Sequence, residues 1–590
     1  MRLALLFGLC SIVSAAPNRI VFSRIGPDAT AIFIANADGS GERALVQSDS
    51  LDYNPVWSPD GKWIVFTSER NGSADLYRLK PDGSALERIT NDPAYDDQAA
   101  FSPDGKQLVF VTTRAGGRAN LWIVDLQTRK ARALTTGNGG DFRPAWSPDG
   151  KWIAFSSVRG STLPMAKGRW EHLHIVDLYL IHPSGAGLHR ITQHGDFCGS
   201  PKWSSDSRHV VAYCMAAQET WPSRFGAPTV ASTSGTEVSS GTQIVSIDIA
   251  TGESSPLPTC PGIKMSPAQL RSGDVAYVRK DGGAPGLFYG NGKLAVAGRV
   301  RSPSWSPDGS RMVYHKILSY YGHDWRDMWS RNPEFELVST RWLPAVDPSG
   351  TKLVGTDFEK KTLNVVEIGS EHSRVVYQHA GMLPMAGQWT PKGDAIIFGI
   401  GTFFTDRERG AQVAMIQPDG SGYHELTSGA NNNGFPSMSP DGLRFVYRTL
   451  GPEGSGLRIK NLENNSVFTL TSDYDNFPLW SPRGDVILFT RKIDGDFELF
   501  TIRPDGSGLK RLTFSPGNEG HCAWSPDGEW ILFSSARMGF KDEVTYTDSP
   551  QPYGEVFVMR YDGTEVKQLT DNQWEDAGPA WLPRVATSRR

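Results

Sequence analysis

Gly168–His174 reads GRWEHLH, and His172 and His174, two positions apart, fall on one side of an extended segment. Such a pair could hold a divalent metal, with Glu171 or a carboxylate from another loop completing the set. A second dense run lies at Ser319–Glu336, where Tyr320, Tyr321, His323, Asp324, Trp325, Arg326, Asp327 and Trp329 follow closely. One chemistry open to these residues is polysaccharide lysis: His172, His174, Tyr321 or His323 as the base, and Arg326 or a metal neutralising a uronate. The other is binding. Trp170, Trp221, Tyr320, Trp325, Trp329, Phe540, Tyr546 and Tyr553, beside Arg224, Asp324 and Asp327, offer flat apolar faces with polar edges that suit a sugar or a peptide. The plainer alternatives are ordinary hydrogen-bonded loop histidines and a lid that packs its aromatics on the scaffold. No HExxH, CxxC or G-x-S-x-G is present, so no cofactor is predicted, although a divalent metal would suit the histidine pair.

The scaffold that must position these loops is legible as a repeat. WSPDGKW at Trp57–Trp63 returns, more or less worn, from Phe101, Trp146, Trp203, Met265, Trp305, Val346, Trp389, Met438, Trp480 and Trp524. The intervals run from 40 to 62 residues, which is the period of a propeller blade. In Asp52–Asp97, a strand ending at Trp57 meets the turn Ser58-Pro59-Asp60-Gly61. Lys62–Ser68, Asp75–Lys80 and Leu86–Thr90 then supply three further strands. The turn aspartates are expected to form turns rather than catalyse.

The chain begins out of phase. Asn18–Ile25, Ala31–Asn36 and Arg43–Gln47 read as second, third and fourth strands, and the missing first strand is Gly578–Pro583. N- and C-terminal strands sharing one blade raise the count to twelve. The expectation is an all-β fold of about twelve four-stranded blades, as two six-bladed propellers with one ring inserted into the other. Residues 1–16 read as a signal peptide and 17–262 as five blades. A degenerate blade that could hold the crossing follows at 263–301, then 302–590 with the closing strand at 578–583.

Short SPDG turns lie on one face, and the long insertions fall on the other, where function is expected. On that rim Arg70, Arg114, Arg159, Arg448, Arg491 and Arg537 recur opposite Asp or Asn, which reads as blade-to-blade bridging. The 590 residues carry a net charge of −4 with both signs scattered, so nothing favours a nucleic-acid partner. No apolar run predicts a membrane span. Cys198 and Cys214 flank one hairpin and could form a disulfide, with two buried thiols as the alternative. Asn71 and Asn464 head glycosylation sequons. Export to the extracellular space is expected, with the periplasm as the alternative.

The repeated WSPDGKWIxF unit, its Asp-Gly hairpin and its Leu-Thr ending resemble the blades of TolB-type propellers. Those are related to the non-catalytic propellers of prolyl oligopeptidases and the tricorn protease. The resemblance implies a propeller that docks protein, gates substrate or scaffolds a carbohydrate lyase, and it does not choose among them. The sequence alone therefore supports a binding scaffold for a protein, peptide or glycan acting through the long-loop face. The alternative is a polysaccharide lyase on the same face. It leaves the oligomeric state open.

Overall fold

The computed structural model describes residues 18–46, 48–137, 139–160, 176–192, 196–216, 241–270, 272–280, 284–320, 325–358, 360–401, 410–452, 454–543 and 554–583. Every regular element among them is a strand, and the strands form twelve four-stranded sheets. The repeat explains why. In Asp52–Trp57, Ile64–Ser68, Asp75–Leu79 and Glu87–Arg88 the strands are β-branched and aromatic, and the turns between them are closed by their own side chains. Ser58 Oγ donates to Asp60 Oδ1 at 2.7 Å and accepts from the Trp63 amide at 2.9 Å, while Gly61 sits at φ +70°. The same Ser–Asp closure recurs at Ser102–Asp104, Ser147–Asp149, Ser306–Asp308 and Ser525–Asp527. The turn aspartates are thus turn formers, as expected.

Second strands carry the core. Phe66, Phe110, Phe155, Phe489 and Phe533 are fully buried between neighbouring sheets, each contributing roughly 1.5–3 kcal/mol. Sheets meet in two closed circuits of six. The first ring is built from residues 27–320, and the second from 18–25 together with 326–582.

The N-terminal segment is divided between them. Asn18–Ile25 lies antiparallel to Glu575–Leu582 and parallel to Phe335–Thr340, in the second ring. Pro27–Asn36 pairs with Arg311–Tyr320 in the first ring. Both termini do share a blade, but that blade holds only the first of the three N-terminal strands. The chain changes rings at Gly26, where an added Cβ would stand 3.0 Å from the Trp574 indole. It returns between Tyr320 and Arg326. The stretch expected to hold a crossing instead builds an ordinary blade, Lys264–Gln269, Val275–Arg279, Gly286–Tyr289 and Leu294–Ala297. Its worn motif still pairs by backbone, which does not require the lost side chains.

The rim arginines also need correction. Arg70 holds Asp52 at 2.8 Å, Arg491 holds Asp475 at 2.7 Å, and Arg537 holds Glu519 at 2.9 Å; in each case both partners belong to one blade. Antiparallel register sets the start of a first strand opposite the end of the second, as in Asp52↔Ser68. These pairs therefore lock the rim of a blade rather than bridging two.

Candidate functional site

Each innermost strand of the first ring slips register once. The slips fall between Tyr53/Val56, Asp97/Ala100, Phe142/Ala145, Gly199/Lys202, Met265/Ala268 and Arg301/Ser304. A bulge of this kind re-aims a side chain. The bulged residues Asn54, Gln98, Arg143, Ser200, Ser266 and Ser302 all have φ between +48° and +57°. Left-handed backbone is costly for such residues and persists where the surroundings over-determine it. All six are polar, and together they line the axial channel of the ring.

Five of the six innermost strands of the second ring carry the same bulge with different chemistry, and Leu343–Val346 pairs without one. The left-handed positions of that ring are Ala386, Phe435, Phe477, His521 and Gly578. Phe435 and Phe477 meet edge to face at 4.6 Å, and Phe477 meets His521 at 5.2 Å. Burial pulls the His521 imidazole down to about 4, so it is neutral and packs as an aromatic. The bulged positions of one ring are largely apolar or aromatic, and those of the other are polar.

That polar channel is an open cavity of about 720 Å³, with its mouth on the face of the short turns. Trp57, Phe101, Trp146, Trp203 and Trp305 wall it, and the turn prolines Pro59, Pro148 and Pro307 edge the mouth. Its far end is closed by the other ring. Lys541, Asp542 and Glu543, from the loop after Trp530–Ser535, are buried to 1%, 2% and 1% exposure. Arg143 grips both Asp542 oxygens, with Nε–Oδ1 at 2.8 Å, and its Nη1 reaches Asn54 at 3.1 Å and Ser302 at 2.9 Å. The Glu543 carboxylate accepts from the Ser200 amide at 2.6 Å, the Ser200 hydroxyl at 2.7 Å and the Tyr213 hydroxyl at 2.7 Å. Lys541 turns back to its own ring, pairing with Glu555 and, at 2.9 Å, with Asp571.

Burial raises the Asp542 carboxyl to about 7, against the opposing pull of Arg143. Burial likewise lowers the Lys202 ammonium to about 8, and nearby Arg143 acts in the same direction. The arrangement is a blind pocket with aromatic walls and a floor of amide, hydroxyl and guanidinium groups.

Comparison with known proteins identifies the family of the blades. The TolB beta propeller domain family matches residues 13–116, 97–243, 293–507 and 403–548, more than half of the chain. The chain belongs to the TolB β-propeller domain family. A TolB homolog of Chlorobium luteolum is 29% identical over 149 residues, covering 25% of this chain and 34% of that protein. The chain thus spans about a third of that relative. An uncharacterised protein of Agrobacterium fabrum is 33% identical over 231 residues, covering 39% of this chain and 71% of its own. Among solved structures, TolB from Acinetobacter baumannii is 20% identical, covering 49% of this chain and 64% of that one, with a TM-score of 0.33.

The residues expected to form a site on the long-loop face fall partly outside the described structure, and the described ones are held by other contacts. His172, His174, Tyr321, His323, Trp170, Trp221, Arg224, Asp324, Tyr546 and Tyr553 lie outside the described residues. Arg326 donates to the backbone carbonyls of Asp28, at 3.2 Å, and Asp49, at 3.0 Å, so it ties chain segments together. Trp325 Nε1 donates to the Ser370 carbonyl at 2.7 Å. Trp329 packs over Gly72, where an added Cβ would come within 2.8 Å of the indole. Tyr320 lies under Arg299 at 4.7 Å, Asp327 is exposed, and Phe540 is buried in the core of the first ring.

In this TolB-family chain the described part of the long-loop faces largely joins the two rings. Arg24 meets Glu69 at 3.7 Å, Thr113 donates to Asp571 at 2.7 Å, and Tyr53 sits edge to face on Trp574. Cys198 and Cys214 are joined as a disulfide across Asp196–Trp203 and His209–Ala216, the strand pair that seats Glu543. Asn71 Nδ2 donates to the Tyr77 hydroxyl at 2.8 Å, and Asn464 is exposed. Among the described residues no group of three His, Cys, Asp or Glu is placed to hold a metal, and no helix is long and apolar enough to cross a membrane.

Sequence reasoning missed the pocket because it treated the short-turn face as inert. A signal was present. The residue before the proline three positions ahead of the motif tryptophan is Asn54, Arg143, Ser200 or Ser302 in the first ring, but Phe435 or Phe477 in the second.

Proposed function

We propose that this TolB-family propeller pair is an exported binding scaffold, and that its receptor is the blind pocket of the first ring. The partner is a protein, which enters as a peptide segment at the mouth on the short-turn face. One observation carries the reading: an aromatic-walled cavity of about 720 Å³ with a polar floor, in the ring whose bulged residues are all polar. A cavity of that size with a few placed polar groups is what a ligand site requires. Of the residues proposed for the polysaccharide-lyase alternative, His172, His174, Tyr321 and His323 lie outside the described structure. Arg326, the one described member of its residue set, holds backbone carbonyls. Export is part of the proposal, supported by the signal-like sequence of residues 1–16, with the periplasm as the compartment of the protein partner, and Asn464 is a modification site only in a host that glycosylates.

Site-directed photo-crosslinking tests the reading. A photoreactive side chain at Gln269, on the pocket wall, is expected to give a discrete, saturable adduct with one exported protein. The same group at Leu86, exposed on the outer edge, gives none. Filling the pocket with Ala268→Trp abolishes the adduct. Equal crosslinking from both positions, or an adduct indifferent to Ala268→Trp, would refute the pocket as receptor.

A further inference from the structure

The equivalent step after each register slip in the first ring is occupied by Val56, Ala100, Ala145, Lys202, Ala268 and Ser304. Five of the six are small, and one is a lysine. All six line the cavity, so the only long side chain of this tier is surrounded by space rather than by partners.

The charges around it are already engaged. Arg143 is held by Asp542, and Lys541 by Glu555 and Asp571. Glu543, the acid nearest in influence to Lys202, spends its oxygens on Ser156, Ser200 and Tyr213. Lys202 makes no hydrogen bond or ion pair among the described residues. A half-buried ammonium is stabilised when a charged group meets it.

The geometry points to Lys202 as the specificity-determining residue of the pocket, selecting a peptide that presents a carboxylate on an apolar body. The inference rests on the pocket being the receptor proposed above. Three features support it. The amine stands without a partner in a roomy tier. The aromatic walls Trp57, Trp146 and Trp305 suit the apolar body. The opposite end of the same channel already receives peptide carboxylates, those of Asp542 and Glu543, on a guanidinium and on hydroxyls. Lys202 is half-buried in the cavity wall, with its ammonium lowered to about 8 and still mostly charged at neutral pH, so a carboxylate meeting it there gains a charge-assisted hydrogen bond. The carboxylate can come from an acidic side chain or a free C-terminus, which are one chemistry from two sources.

Calorimetric titration of the full chain separates these. Two peptide pairs and one sugar acid are used: N-acetyl-Phe-Glu-amide against its Gln isostere, N-acetyl-Phe-Ala with a free against an amidated end, and digalacturonate. We expect the carboxylate member of at least one peptide pair to bind roughly tenfold more tightly than its amide, the size of a charged hydrogen bond. That preference should vanish in Lys202→Gln, survive in Lys202→Arg, and decline on the alkaline side in the wild type only. Equal affinity for acid and amide overturns the role of Lys202 while leaving the pocket as a receptor, which the crosslinking decides separately. A preference retained in Lys202→Gln, or binding of digalacturonate alone, overturns the assignment, as does no binding of any probe.

Discussion

Arg143 of the first ring grips Asp542 of the second through both carboxylate oxygens, across 399 positions of sequence. Neither group is exposed on a face that another molecule could use without opening the joint between rings. The pair therefore does two things. It closes the far end of the first-ring channel, and it fastens the rings to each other.

Breaking the pair from one side leaves a buried charge uncompensated. Arg143→Leu is expected to lower stability by about 3–5 kcal/mol in denaturant unfolding, because Asp542 then has no counter-charge. The double variant Arg143→Leu/Asp542→Leu should recover much of that loss. Additive single and double effects would show that the two groups do not act as a unit.

Gly199 is required by close approach. An added Cβ would stand 2.5 Å from the Tyr213 hydroxyl and 2.7 Å from the Glu543 carboxyl. Gly199→Ala should displace Glu543 from its seat and cost about 1–3 kcal/mol. The check is limited proteolysis near residue 543 alongside unfolding. Wild-type resistance there would argue against the seat.

The disulfide supports the same seat. Cys198 and Cys214 are 16 positions apart, and closing a loop of that length limits the unfolded chain by about 3 kcal/mol. Replacing both with serine should lower stability by about 2–3 kcal/mol and raise hydrogen exchange at Ser200 and Tyr213. Exchange that rises elsewhere but not there would separate the bridge from the Glu543 site.

The dependence on pH has a defined sign. Burial raises Asp96 and Asp542 to about 7 and Glu519 to about 8, all above their values in an unfolded chain. Between the unfolded and folded values the native state holds protons that the unfolded state has released, so stability falls as pH rises. His521, lowered to about 4, acts in the opposite sense, but only up to about 6.5, its ordinary value. Above about 6.5 the carboxyls dominate, until Lys202, lowered to about 8, begins to oppose them, so unfolding midpoints should drop from about 6.5 and level off toward 8. Glu519→Gln should flatten the upper part of the decline. A midpoint that rises from 6.5 to 8 would contradict the assignment.

The repeat could be counted from the sequence because each blade carries its own instructions. Ser58 and Asp60 close their turn with atoms two and five residues away, and Phe66 is buried by immediate neighbours whatever ring it belongs to. Local interactions of that kind are complete within about 45 residues, so period, strand number and turn chemistry were all readable. The pairing of the N- and C-terminal strands was readable for a related reason, since the first strand missing at one end reappears at the other.

What only the tertiary structure decided are relationships between distant residues of similar local character. Asn18–Ile25 and Pro27–Asn36 are both ordinary strand sequences, yet they lie in different rings, and the change rests on Gly26 meeting Trp574. The character of each channel is set by bulged residues, six in the first ring and five in the second, that meet only when the blades close. The seating of Asp542 and Glu543 on Arg143, Ser200 and Tyr213 depends on how one ring sits against the other. No local pattern encodes that contact, because the groups that satisfy each buried charge arrive from the far end of the chain.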